Sequence, residues 1–211
     1  MEFNSKSGYN IDLANYYWYE NGFSDEELMW VDNLQNLDNY YYILNEPRLS
    51  NNDHGPTCYG DNTNSEDIVN ISKHKTIRYK SDGSWIYDKL KKFVIEANEI
   101  IWDFDINSFM DELQHIEYLE IGDHKLKDNN WKMDIQYPAS YNKISIIVEL
   151  TDPSEYEGGE IELWTNGDVK ILPKIKGSVI LFPSYLLYKI NPVIKGNKKI
   201  LRFWVGGRSF K

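Results

Sequence analysis

A succession of short β-prone runs fills the chain from residue 115 to residue 205, which excludes a helical bundle. The runs are His115 to Ile121, Lys143 to Leu150, Glu160 to Trp164, Val169 to Leu172, Ser178 to Phe182, Tyr188 to Pro192 and Ile200 to Val205. Gly158-Gly159, Asn166-Gly167 and Gly177 separate several of them. Short strands at close spacing with glycine-bearing turns predict a sandwich or jelly roll.

The first half reads differently. Tyr16 to Tyr19 predicts a short aromatic strand and Thr76 to Tyr79 another. Ser24-Asp25-Glu26-Glu27 has the spacing of a capping box, so a helix is expected from Asp25 to about Leu34 with Leu28, Val31 and Leu34 inward. Asp82-Gly83-Ser84 opens a second helix, in which Ile86, Leu90, Phe93, Val94, Ala97 and Ile101 recur at helical spacing and form a stripe fit to pack on a sheet. Residues 45–70 are polar and carry Pro47, Pro56, Gly55 and Gly60, a long loop or excursion. The expected architecture is mainly β with flanking helices (α+β), a single domain over residues 1–211. In it, residues 1–114 supply strands and support helices and residues 115–207 the core.

Composition narrows the function classes. The 211 residues are 41% hydrophobic and 15% aromatic, enough for a packed interior. No run reaches the roughly 18 apolar residues of a membrane span, and Met1 to Asn10 is polar without an apolar signal core. A cytoplasmic location is expected, or a host cytoplasm or virion if the source is viral; the low Arg-to-Lys ratio and abundant Asn, Ile and Tyr read as AT-rich coding DNA, a skew common in phages and in some bacteria. Cys58 is the only cysteine, which fits a reducing compartment. The net charge of −10 and the lack of a basic stripe argue against a nucleic-acid partner. The partner expected instead is a protein of unknown identity, with no membrane.

From about Thr76 to Gly207 the chain resembles the prolyl-4-hydroxylase-like, PKHD-type branch of the 2-oxoglutarate/Fe(II) oxygenases. The resemblance is carried by Trp85 to Leu90, Ala97-Asn98 and Trp102 to Phe104, then by Leu150-Thr151-Asp152-Pro153-Ser154-Glu155-Tyr156-Glu157-Gly158-Gly159-Glu160. Lys176 to Ser184, Pro192-Val193, Lys195-Gly196 and Trp204 continue it in order. It implies a double-stranded β-helix (jelly-roll, cupin-like) core. It also implies a site in which two His and one carboxylate hold Fe(II) beside 2-oxoglutarate, whose distal carboxylate rests on a basic residue of a late strand.

The matching positions depart from that set. Asp134 keeps the carboxylate, but Lys132 and Tyr188 stand where the two His belong. Lys198 stands at the 2-oxoglutarate anchor. An ammonium and a phenol are both protonated at neutral pH by their reference pKa values, so neither is a ready ligand for Fe(II). Lys132 and Asp134, two apart on a strand, are expected to share a face. The ammonium would then take the vacated cation site and neutralise Asp134, with Tyr188 adding a hydrogen bond.

The four histidines, His54, His74, His115 and His124, show no ligand spacing; His124, in Gly122-Asp123-His124, is expected to be solvent-exposed in a longer loop, with recruitment as a substitute ligand the alternative. Glu160 and Glu162 read as a solvated strand face. The expectation is a catalytically degenerate oxygenase fold, with no cofactor where the family uses Fe(II) and 2-oxoglutarate, retained as a binding or structural module such as a phage virion component. Two alternatives stay open: an active 2-oxoglutarate-dependent hydroxylase of a peptidyl or small-molecule substrate, and a jelly-roll carbohydrate-binding domain.

Overall fold

The computed structural model describes residues 15–34, 38–43, 71–78, 83–109, 112–120, 131–135 and 141–208. The excursion at 45–70 and the segment carrying His124 lie outside the described residues, as do His54 and Cys58.

Among the described residues, thirteen strands and two α-helices follow in chain order: β1 (Tyr17–Tyr19), α1 (Asp25–Asp32), β2 (Asp38–Ile43), β3 (Ile71–Arg78), α2 (Ser84–Ala97), β4 (Ile106–Phe109), β5 (Glu112–Leu119), β6 (Asn142–Glu149), β7 (Tyr156–Gly158), β8 (Ile161–Thr165), β9 (Asp168–Ile171), β10 (Val179–Pro183), β11 (Tyr188–Ile190), β12 (Val193–Gly196) and β13 (Lys198–Gly207). Eight strands form the major sheet in the order β1-β10-β6-β13-β5-β3-β2, with β4 added on β13. The described pairs are antiparallel. Two smaller sheets, β11-β8-β9 and β12-β7, complete the jelly roll.

Strand alternation sorts the core into two layers. Ile144, Ile146 and Val148 of β6, Val179 and Leu181 of β10, and Leu201, Phe203 and Val205 of β13 face α1 and α2. There they meet Leu28, Val31, Ile86, Leu90, Phe93, Val94 and Ala97, the stripe expected from helical spacing. The opposite faces turn into the jelly roll, where Ile116, Tyr118, Ile147, Ile180, Phe182 and Ile200 pack against Ile161, Leu163, Tyr188 and Ile190 of the small sheet. Ser145 and Glu149 share the inward face of Ile147, and Lys198, Arg202 and Trp204 share that of Ile200. The interior of the roll is therefore partly polar, and the site lies there.

Local chemistry explains the elements. The capping box is present: the Glu27 backbone N–H donates to Ser24 Oγ (3.3 Å) and the Ser24 N–H to Glu27 Oε2 (2.8 Å). The helix ends at Asp32, short of Leu34, which still packs on the core. The second helix continues into a π-turn, Asn98–Trp102, ended by Asp103 in the left-handed region. The buried Asn98 side chain holds that exit by donating to Phe104 O and accepting from Phe104 N, both at 3.0 Å.

Four strands, β2, β4, β7 and β12, are absent from the β-prone runs read in the sequence, although β7 falls in the hairpin and β12 in the C-terminal strand pair that the resemblance implied. They are short, or, like Tyr40 to Tyr42 in β2, lie in runs whose aromatics read equally as packing. Asp152 caps a 3₁₀ turn, Pro153–Glu155, by accepting from the Ser154 N–H at 2.9 Å. Gly158 and Gly159 follow with φ of 81° and 66°, the left-handed geometry that glycine adopts without strain.

Candidate functional site

Asp134 lies in a short extended segment fastened to the start of the small sheet. Lys132 and Tyr188 pair through both backbone bonds (Lys132 N–H to Tyr188 O, 2.9 Å; Tyr188 N–H to Lys132 O, 2.8 Å). Asp134 N–H donates to Ser184 O at 2.9 Å, and Asn142 Nδ2 donates to Asp134 O at 2.9 Å. The backbone thus sets Asp134, Lys132 and Tyr188 side by side.

Beside Asp134 lies a cation that the sequence reading did not name. Arg202 Nη2 reaches Asp134 Oδ1 at 2.5 Å, with the two side chains 14% and 7% exposed. Tyr188 OH donates to the same oxygen at 3.1 Å, and Ser145 Oγ donates to Oδ2 at 2.7 Å while contacting Ser184 Oγ at 2.9 Å. The Trp204 indole N–H is buried near the carboxylate without closing a hydrogen bond. Arg202 is stacked 4.5 Å from the Trp204 ring and 5.6 Å from Tyr188.

Lys132 places its ammonium 5.1 Å over the Tyr188 ring. The expected charge balance at Asp134 is therefore extended: Lys132 holds the carboxyl's pKa down and Arg202 does so more strongly. Lys132 still contributes to the field, but Arg202 makes the direct contact, because β13 projects it into the roll between Ser145 and Glu149 of β6. Tyr188 gives the hydrogen bond expected of it.

The charges follow from this packing. Burial pushes the Asp134 carboxyl upward, but Arg202, then the Ser145 bond, then Lys132 more than offset it, so its pKa lies below the usual value. Burial raises the Tyr188 phenol well above its ordinary range; Arg202 opposes the shift and Asp134 adds to it. Tyr188 is fully buried and stays neutral. The sequence reading left His74 unassigned, yet it feels the same cluster. Burial, Arg202 and Lys132, in that order, bring its pKa down to about 4, and its Nε2 lies 2.9 Å from Ser72 Oγ. Its spacing offered no clue, since β3 reaches this region only through its pairing with β5.

Lys198 is also fully buried. Its ammonium donates to Glu149 Oε1 (2.7 Å) and to Gly159 O (2.8 Å) and lies 5.5 Å from the Tyr156 ring. The residue expected to anchor 2-oxoglutarate thus already holds an internal carboxylate. Burial raises the Glu149 pKa, opposed by Lys198. Glu162 and Glu160 are not a catalytic pair: Glu162 meets Lys189 at 3.1 Å and Asn191 at 2.6 Å, and Glu160 meets Lys174 at 3.4 Å.

No protein-family model matches the chain. In sequence it is similar to PKHD-type hydroxylases, among them those of Pseudoalteromonas atlantica and Colwellia psychrerythraea, each 36% identical over 62 residues. These matches cover 29% of this chain and 27% and 28% of the relatives, so the chain matches little more than a quarter of their length. In fold it is similar to a Pseudomonas putida prolyl-4-hydroxylase (TM-score 0.62, 11% identity, 94% of this chain and 96% of that one). It is also similar to a Burkholderia pseudomallei oxidoreductase of the 2OG-Fe(II) oxygenase family (TM-score 0.61, 13% identity, 94% and 90%). The viral collagen prolyl hydroxylase of Paramecium Bursaria Chlorella virus-1, solved with 2-oxoglutarate, superposes at TM-score 0.52 with 16% identity over 92% and 97% of the two chains. The chain has the 2-oxoglutarate/Fe(II) oxygenase fold, and its sequence similarity is to the PKHD-type branch.

These relatives correct the expectation of no cofactor. The fold and the branch are those of proteins that take Fe(II) and 2-oxoglutarate, and those are the groups against which the site is judged. As they stand, the residues at the triad positions do not fit ferrous iron. Both Asp134 oxygens are engaged, Arg202 sits on one of them, and an ammonium and a neutral phenol replace the imidazoles. Among the described residues no three of His, Cys, Asp and Glu cluster. A guanidinium against the carboxylate brings its own positive charge to the place where a cation would have to enter.

Proposed function

We propose that this protein is a catalytically degenerate form of the oxygenase fold, retained as a binding module whose partner is a protein. The observation that carries the reading is the Arg202–Asp134 ion pair, supplemented by Tyr188 and Ser145. A site that turned over would leave its carboxylate for a metal. Here the carboxylate is held as part of the packed interior. A protein partner is supported by the shared exposure of Trp164, Val169 and Ile171 on β8 and β9. Trp164 meets Trp131 edge-on at 5.6 Å, next to the segment that carries Asp134.

The test is succinate release from 2-oxoglutarate by the protein with Fe(II) under air. The expected rate is that of the protein-free control, and turnover well above it refutes the reading. A second arm rebuilds the ligands. Lys132→His with Tyr188→His is expected to bind Co(II) weakly while Arg202 remains. Adding Arg202→Leu is expected to tighten binding at least tenfold, read from the d–d absorption of the bound ion.

A further inference from the structure

Glu149 has no counterpart in the ligand set the family resemblance implies, and it is the less satisfied half of a fully buried pair. Lys198 and Glu149 expose 0% and 1% of their side chains. Lys198 is well served, with Glu149 Oε1 at 2.7 Å and Gly159 O at 2.8 Å. Glu149 is not: its Oε2 is buried and, among the described residues, accepts nothing. The Tyr156 hydroxyl, on the ring that Lys198 faces, is likewise buried without a hydrogen-bond partner, as is Ser178 Oγ. The backbone N–H of Glu149 itself donates to Ser178 O at 3.1 Å.

A buried ammonium demands a counter-charge, and a buried carboxylate normally engages both oxygens. Here the ammonium is satisfied while one carboxylate oxygen and a neighbouring hydroxyl go unpaired. The geometry is that of a carboxylate site filled from one side, by a side chain whose tether to β6 limits what it reaches.

Gly159 shows how tightly the ammonium's stem is seated. A Cβ there would lie 3.0 Å from Lys198 Cδ and 3.2 Å from the Tyr156 ring, and φ is 66°. A side chain at the hairpin glycine would press on the Lys198 stem and strain its own left-handed backbone.

We infer that Glu149 is the internal occupant of a carboxylate-binding site formed by the Lys198 ammonium, which the Gly159 carbonyl positions, and the Tyr156 hydroxyl, and that an external carboxylate enters it only by displacing Glu149. The ligand class is a small carboxylate or dicarboxylate, and Glu149 sets its affinity. The inference rests on the fold assignment and deepens the proposed function, but it holds or fails independently of turnover.

The experiment compares the full-length wild type with Glu149→Ala, Glu149→Gln and the double variant Glu149→Ala with Lys198→Met. Acetate is titrated against thermal unfolding, and 2-oxoglutarate binding is measured by calorimetry. Glu149→Ala is expected to unfold several degrees lower than wild type and to recover most of the loss in tens of millimolar acetate but not in chloride. It is expected to bind 2-oxoglutarate at least tenfold more tightly than wild type.

The double variant is expected to lose both responses. Glu149→Gln keeps the volume while removing the charge, and a tenfold gain in 2-oxoglutarate affinity is expected there too should Glu149→Ala fold only in acetate, itself a supporting result. Equal affinity of wild type and both single variants for 2-oxoglutarate, or stabilisation of Glu149→Ala by acetate and chloride alike, overturns the inference. Succinate release by the wild type would overturn the proposed function and leave this result standing.

Discussion

At the residue scale the roll is held by two ion pairs of different quality. Asp134–Arg202 is reinforced by Ser145 and Tyr188, so removing one charge leaves the other buried and uncompensated. Arg202→Met is expected to destabilise by about 3–5 kcal/mol, measured by urea unfolding. Arg202→Met with Asp134→Leu is expected to recover most of that loss, because the remaining pair is apolar. Acidity acts on the same bond.

The Asp134 pKa is lowered on folding from the ordinary value of 3.8. Its stabilisation is therefore present above that value and lost as pH falls through the lower folded one. Unfolding free energies taken from pH 6 down to pH 3 are expected to drop more steeply for wild type than for Asp134→Asn below about pH 4. Glu149 has the opposite sign, since burial raises its pKa and acid relieves the penalty. A steeper acid limb in the Asn variant would contradict the assignment. Asp134, Lys132 and Tyr188 were legible in the sequence because a motif fixes their spacing. Arg202 and Glu149 were not, because each meets its partner across the sheet, 68 and 49 residues away.

At the element scale the junctions are built on close approach. β4 joins β13 through Val205–Phe109, Gly206–Ser108 and Gly207–Ile106, with a register shift at its end. A Cβ on Gly207 would lie 1.8 Å from the Asp105 backbone carbonyl, which cannot move aside as a flexible side chain could. Gly207→Ala is expected to detach β4. Hydrogen exchange should then accelerate at residues 106–109 while β6 and β5 stay protected. Uniform protection would count against a steric requirement.

The first helix is joined to the second by Glu27, whose carboxylate takes the Lys89 ammonium at 2.6 and 2.7 Å while serving the capping box. Both helices were readable from caps and stripes, since those are local. The strand β4 was not, because Ile106 to Phe109 alternates too little to declare a strand without the β13 segment it pairs with, and β7 and β12 were placed only through the resemblance.

At the scale of the whole molecule the division at residue 115 is one of sequence and not of packing. The helix-side core takes Phe23, Leu28, Ile86 and Phe93 from the first half and Ile146, Leu201 and Phe203 from the second. Residues 115–211 expressed alone would expose the sheet face that those helices cover. The fragment is expected to give a collapsed, poorly dispersed amide NMR spectrum, while the full chain unfolds in a single transition. A well-dispersed spectrum from the fragment would show that the roll stands by itself.

Local information in the chain determined the mainly β character, the helix positions, the glycine turns and the amine and phenol at the positions where the resemblance places imidazoles, because composition, caps and motif spacing act over a few residues. The three-dimensional arrangement decided which charges meet. The register of β13 on β6 sets Arg202 and Lys198 against the interior face of Ser145 and Glu149, and a one-residue slip of β13 would turn Arg202 and Lys198 to the helix-covered face. That register is fixed by the apolar faces of the whole sheet, which no single segment contains.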